Sequence, residues 1–134
     1  MSDEVLMLLR LLLACGLGMT VGLERELAGK AAGFRTHTLV CLGAALFALV
    51  SIYAFETGAD IARVAAGVVT GIGFLGAGAI IHREGGTVEG LTTAASIWAV
   101  AAIGLTAATG LYWLACLATV LTLLLLRSER IIKR

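Results

Sequence analysis

A chain of 134 residues that is 60% hydrophobic, 14% charged and of mean hydropathy +1.01 departs from a soluble domain, which is about 45 to 50% apolar and roughly 25% charged. A domain this small leaves too large a share of its surface exposed to hide so much apolar content from water, so lipid has to cover it and an ordinary soluble enzyme is excluded. A net charge of +1, with no aromatic residues interleaved along a basic stripe, excludes a nucleic-acid surface.

Five apolar stretches follow in order: Val5 to Leu23, His37 to Phe55, Val64 to Ile81, Leu91 to Thr109 and Leu111 to Leu126. Most approach the roughly 20 residues that a helix needs to cross about 30 Å of hydrocarbon. The first lacks the basic start and small-residue cleavage site of a signal peptide and runs on into further spans, so it reads as a retained helix. Its Gly18 and Gly22 form a GxxxG surface for a neighbouring helix. Arg10 lies well inside this span and reads as an anchor, snorkelling outward or pairing with Glu56 or Asp60. The first connection carries Glu24-Arg25-Glu26 and then Gly33-Phe34-Arg35-Thr36-His37.

After the second span, Asp60 and Arg63 stand three apart on one helical turn and form an expected outer-face pair. In the third span Gly67, Gly71 and Gly78 share one face while Gly73 and Gly76 lie on the other, so this helix is expected to be the packing hub. Gly71-Ile72-Gly73-Phe74-Leu75-Gly76 matches GxGxxG literally, but no strand precedes it and no acidic residue follows at the right place, so it is not a dinucleotide site. The next connection carries His82-Arg83-Glu84 and then Glu89-Gly90-Leu91-Thr92-Thr93. Thr36, Thr92 and Thr93 stand where helices begin and read as N-caps. The fourth and fifth spans meet in a tight turn near Gly110, and the short fifth span is extended by Tyr112 and Trp113 at one interface and by Arg127 and Arg130 at the other. Glycine-rich runs that lead into polar loops in the first and third spans hint at a parallel internal repeat.

An odd number of crossings puts the chain ends on opposite sides. With the C-terminus inside, the inner face holds Arg25, Lys30, Arg35, Arg83, Arg127, Arg130, Lys133 and Arg134, and the outer face only Arg10 and Arg63. That bias argues for N-terminus out and C-terminus in. Both charged connections then lie on the inner face, where Glu24, Arg25, Glu26, Arg35, Thr36, Glu89, Thr92 and Thr93 form a candidate polar cluster, with Glu24–Arg35 and Glu89–Arg25 as candidate pairs. A solvated loop surface is the competing reading. Cys15, Cys41 and Cys116 are widely spaced inside apolar segments and read as small buried side chains. No catalytic set, metal grouping or phosphate-binding loop is legible, so neither enzyme activity nor a cofactor is expected. The middles of the spans are Gly, Ala, Val and Leu, which speaks against a transport pathway.

Gly22-Leu23-Glu24-Arg25-Glu26, Gly33-Phe34-Arg35-Thr36-His37, the run from Val68 to Gly78, and Gly90-Leu91-Thr92-Thr93-Ala94-Ala95-Ser96-Ile97-Trp98 together resemble the MgtC/SapB family of bacterial inner-membrane proteins, over essentially the whole chain. The resemblance implies a multi-pass inner-membrane protein linked to survival in low magnesium and to virulence in intracellular pathogens. Its founding member is tied to restraint of the F-type ATP synthase rather than to magnesium transport itself. Many members carry an ACT-like soluble domain after the last helix, whereas this sequence stops at Arg134. The expectation is therefore an all-α polytopic membrane protein with about five transmembrane helices, one MgtC/SapB-like domain over residues 1–134 and no soluble C-terminal domain. It would sit in the lipid bilayer as a homo-oligomer and regulate magnesium or ion homeostasis, through another membrane protein such as the ATP synthase. The alternative is a small ion transporter or channel subunit.

Overall fold

The computed structural model describes residues 2–55, 58–82 and 84–132. Five helices, α1 (Asp3–Leu27), α2 (Phe34–Ala54), α3 (Gly58–Ala77), α4 (Leu91–Ala108) and α5 (Tyr112–Ile132), are each long and apolar enough to cross a membrane. The chain is an all-helical, multi-pass membrane protein. Between α3 and α4 stands a small antiparallel hairpin, β1 (Ile81–His82) against β2 (Val88–Glu89), turned through Gly85 and Gly86 at positive φ.

Several helices outrun their apolar stretches. α1 continues through Glu24, Arg25 and Glu26, and α5 continues past Leu126 to Ile132. The edge of an apolar run marks where lipid ends, whereas a helix in water keeps closing its backbone hydrogen bonds until a breaker stops it. For α1 the stop is Gly29, at φ 71. The same logic corrects the threonine caps. α2 and α4 start from Gly33 and Gly90, neither with a side-chain cap bond, so Thr36, Thr92 and Thr93 lie inside first turns rather than ahead of them.

α2 and α4 are the centre of the bundle: half of each span is buried, against 6% of α3. α2 turns His37, Cys41, Ala44, Ala48 and Ser51 inward, and α4 turns Thr93, Ser96, Ile97, Val100 and Ala101 inward. With hydrocarbon on both sides of the balance, helices in lipid associate through close packing rather than water exclusion, and small residues allow it. Gly104 of α4 lies directly against the Cys41 carbonyl, where a side chain would overlap it. On the other flank, a methyl at Gly22 of α1 would stand 2.8 Å from Phe34 Cα, and one at Gly18 would stand 2.7 Å from Cys41 Cβ.

The expectation that the third span is the hub is corrected. α3 meets α2 and α4 along one side through Val68, Ile72 and Gly76, the last of these 3.3 Å from the Ala94 carbonyl at its would-be Cβ. Gly67, Gly71 and Gly73 face open space within this chain, and the nearest neighbour of Gly78 is Leu75 of its own helix end. Small residues permit close approach without commanding it, and among the described residues nothing lies within 4 Å of a Cβ placed at Gly67, Gly71 or Gly73.

Two long side chains, one on α1 and one in the connection that follows it, reach the last two helices. Arg10 Nε donates to Tyr112 Oη at 3.0 Å and Nη1 to the Ala108 carbonyl at 3.1 Å, with the guanidinium also over the Tyr112 ring. This replaces the expected pairing with Asp60; Glu56 lies outside the described residues. The carbonyls of a helix's last turn lack intrahelical partners, which makes the end of α4 a good acceptor for a cation. At the opposite end of the bundle Lys30 Nζ pairs with Glu129 at 3.0 Å. Asp60 and Arg63 stand 4.0 Å apart with the Arg63 side chain 82% exposed, a contact that contributes little in water. Cys15, Cys41 and Cys116 are free thiols, Cys41 buried and Cys116 exposed.

Candidate functional site

The end of the bundle that carries the two longer connections also carries its buried polar groups. α1 delivers Glu24 and Arg25 on its last full turn, where the helix crosses close to α2 at Gly22. Arg25 is 1% exposed and holds its own neighbour in a forked contact, Nε to Glu24 Oε2 at 2.7 Å and Nη2 to Oε1 at 3.2 Å. The candidate pairs Glu24–Arg35 and Glu89–Arg25 are thereby corrected: the partner of Arg25 is one residue away, because both side chains fold back along the same turn. Arg25 Nη1 is buried without a hydrogen-bond partner.

Glu26, an exposed neighbour of this pair, reaches past the connection instead. Its Oε1 accepts the Phe34 backbone N–H at 3.2 Å, so a carboxylate from α1 satisfies one of the open N–H groups at the start of α2 and meets the positive end of its dipole. This is the capping role that the sequence assigned to threonine.

One turn further into the membrane lies a buried chain of polar groups between α2 and α4. His37, fully buried, places Nδ1 2.9 Å from the Gly33 carbonyl and Nε2 2.8 Å from Ser96 Oγ, which in turn lies 2.7 Å from the Thr93 carbonyl. Thr38 closes back on the Phe34 carbonyl at 2.6 Å. Of the polar cluster read from sequence, Glu24, Arg25 and Thr93 are thus drawn into the interior, Glu26 bridges two helices, Thr36 is half-buried, and Arg35, Thr92 and Glu89 stay at the exposed surface. Ser96 was missed as a site residue, and His37 was counted only as part of a charged loop. The signal available was their setting: each is a hydrogen-bonding side chain within an otherwise apolar span, and such groups in lipid demand partners.

A family model described as the MgtC family matches residues 11–134. The chain belongs to the MgtC family. Curated relatives include a protein of Escherichia coli (strain K12) named "Putative magnesium transporter YhiD", 46% identical over 93% of this chain and 60% of its own length. "Protein SrpB" of Synechococcus elongatus is 43% identical over 93% of this chain and 75% of its own length. "Protein MgtC" of Salmonella typhimurium is 45% identical over 92% of this chain and 53% of its own length. The chain therefore spans little more than half the length of the Salmonella relative. No solved structure matches.

Proposed function

We propose that this MgtC-family chain is a membrane regulator in magnesium or ion homeostasis that acts through protein contacts rather than by conducting ions. The observation that carries this reading is the distribution of charge. Among the described residues the ionisable side chains gather toward the two ends of the bundle, and the middles of the five helices hold no Asp, Glu, Lys, Arg or His. A transporter places such groups, or unwound backbone carbonyls, near the midplane, whereas α1 to α5 run there without a break. In this reading the protein lies in the bacterial inner membrane with the Lys30 and Glu129 end inside, has no catalytic activity, and works as a homo-oligomer or against another membrane protein, the F-type ATP synthase being the partner suggested by family resemblance.

The second reading, a small transporter or channel subunit, draws on the name of the Escherichia coli relative. Two measurements separate them. Purified protein in liposomes loaded with a magnesium-sensitive dye is expected to admit no more Mg²⁺ than protein-free vesicles, while expression of the chain supports growth of a family-deficient bacterium on limiting magnesium. Saturable Mg²⁺ entry into the liposomes would overturn the regulator reading.

A further inference from the structure

At the loop end α1 and α5 do not close on each other: a groove of about 370 Å³ lies between them. Leu23 and Leu27 of α1 form one wall, and Val120, Leu123 and Leu124 of α5 the other. All but Leu123 are at least half exposed, so this is apolar surface that the bundle leaves to the membrane. Just beyond the groove Lys30 Nζ pairs with Glu129 at 3.0 Å, which ties the segment after α1 to the end of α5.

Arg127 lines the same groove, exposed and one turn beyond Leu123 and Leu124. Arg25 is engaged by Glu24 and Lys30 by Glu129, whereas no described carboxylate pairs with Arg127. Its depth makes that costly. Arg127 follows Tyr112, at the other interface, by fifteen residues, about 22 Å by helix rise, while the hydrocarbon is about 30 Å thick. The guanidinium therefore has to reach toward the headgroups from beneath them, where an unpaired charge is unfavourable and a lipid phosphate is the nearest counter-ion. Glu24 also lines the groove, but both its oxygens are held by the Arg25 fork and its side chain is only 8% exposed. That pair presents no net charge to an incoming anion. Apolar walls beneath a single positive rim are the complement of an acyl chain beneath a phosphate.

We propose that the groove between α1 and α5 binds one anionic phospholipid from the leaflet at the loop end, with an acyl chain against the leucines and the phosphate on Arg127. A guanidinium takes two phosphate oxygens in a forked contact. A headgroup of net negative charge is preferred, because a zwitterionic one brings a cation of its own to the same rim. The bound lipid touches both walls, so it bridges the first helix to the last and stabilises the closed bundle by mass action.

The test is native mass spectrometry of the protein in detergent, titrated with phosphatidylglycerol or with phosphatidylcholine of the same acyl chains. The wild type is expected to retain one phosphatidylglycerol with an affinity about fivefold above phosphatidylcholine, the contribution of one cation at a membrane surface. Arg127→Gln is expected to bind both lipids alike, whereas Arg35→Gln, which removes an exposed cation from the same end of the bundle, keeps the preference. Val120→Phe fills the groove from a half-exposed position and is expected to lose the retained lipid with Arg127 still in place. Equal losses in Arg127→Gln and Arg35→Gln assign the preference to diffuse charge and overturn the proposal. So does unchanged retention in Val120→Phe, or a lipid-free dimer that Val120→Phe dissociates, which gives the groove to a second copy. The wild-type comparison needs no variant: equal affinity for the two lipids removes the site.

Discussion

At the scale of single residues, the Glu24–Arg25 pair is the strongest test of whether the loop end is a built site. Both side chains are nearly inaccessible, at 1% for Arg25 and 8% for Glu24, and removing one member of a buried pair typically costs about 3 to 5 kcal/mol, because the other is left charged and unpaired. Arg25→Met and Glu24→Gln are each expected to lower stability by that order in detergent unfolding experiments. The double change is expected to cost clearly less than the two single costs added. Strict additivity would mean that the two groups are solvated independently. The sequence made Arg25 conspicuous, since a charge beside an apolar span needs a partner, but it could not choose among several carboxylates. That choice depends on side-chain directions at the end of α1, which spacing does not reveal. Ser96 shows the same limit: a hydroxyl in an apolar run signals that it needs a partner, but spacing does not reveal that the partner is His37.

At the scale of elements, lengths and number were legible because lipid thickness imposes them, and α1 to α5 follow the five apolar stretches. Which helix lies at the centre was not. Glycine content drew attention to the third span, whereas α2 and α4 win the centre through alanine, serine and Gly104. The open face of α3 joins α2 around an apolar groove of about 600 Å³, lined in part by Leu39, Gly43, Phe47, Val68, Gly71 and Leu75. Under the homo-oligomer proposed above, a second copy is the occupant of this groove, since small residues invite close helix approach in lipid. Gly71→Leu then makes a clean probe. A Cβ at position 71 meets nothing within 4 Å of the same chain, so the protomer is expected to stay folded while the oligomer dissociates, read as a smaller particle in size-exclusion chromatography with light scattering. An unchanged particle size would remove this face from the interface.

At the scale of the whole molecule, the Lys30–Glu129 pair sets the first connection and the end of α5 at one end of the bundle, and Arg10 with Tyr112 sets the start of α1 beside the α4–α5 turn at the other. Among the described residues Arg25, Lys30, Arg35 and Arg127 belong to the first end and Arg10 and Arg63 to the second, so reporter fusions at Lys30 and Gly85 are expected to read cytoplasmic and one at Gly110 periplasmic. A periplasmic signal at Lys30 would invert the molecule. The Arg10 fastening of α1 also bears on how the protein is made. Arg10 finds its acceptors 98 and 102 residues further along, on segments that leave the ribosome long after α1 has entered the membrane. Until Ala108 and Tyr112 are in place, that guanidinium lacks both of these acceptors. The contact that ties the first helix to the α4–α5 turn is therefore among the last that the growing chain can make.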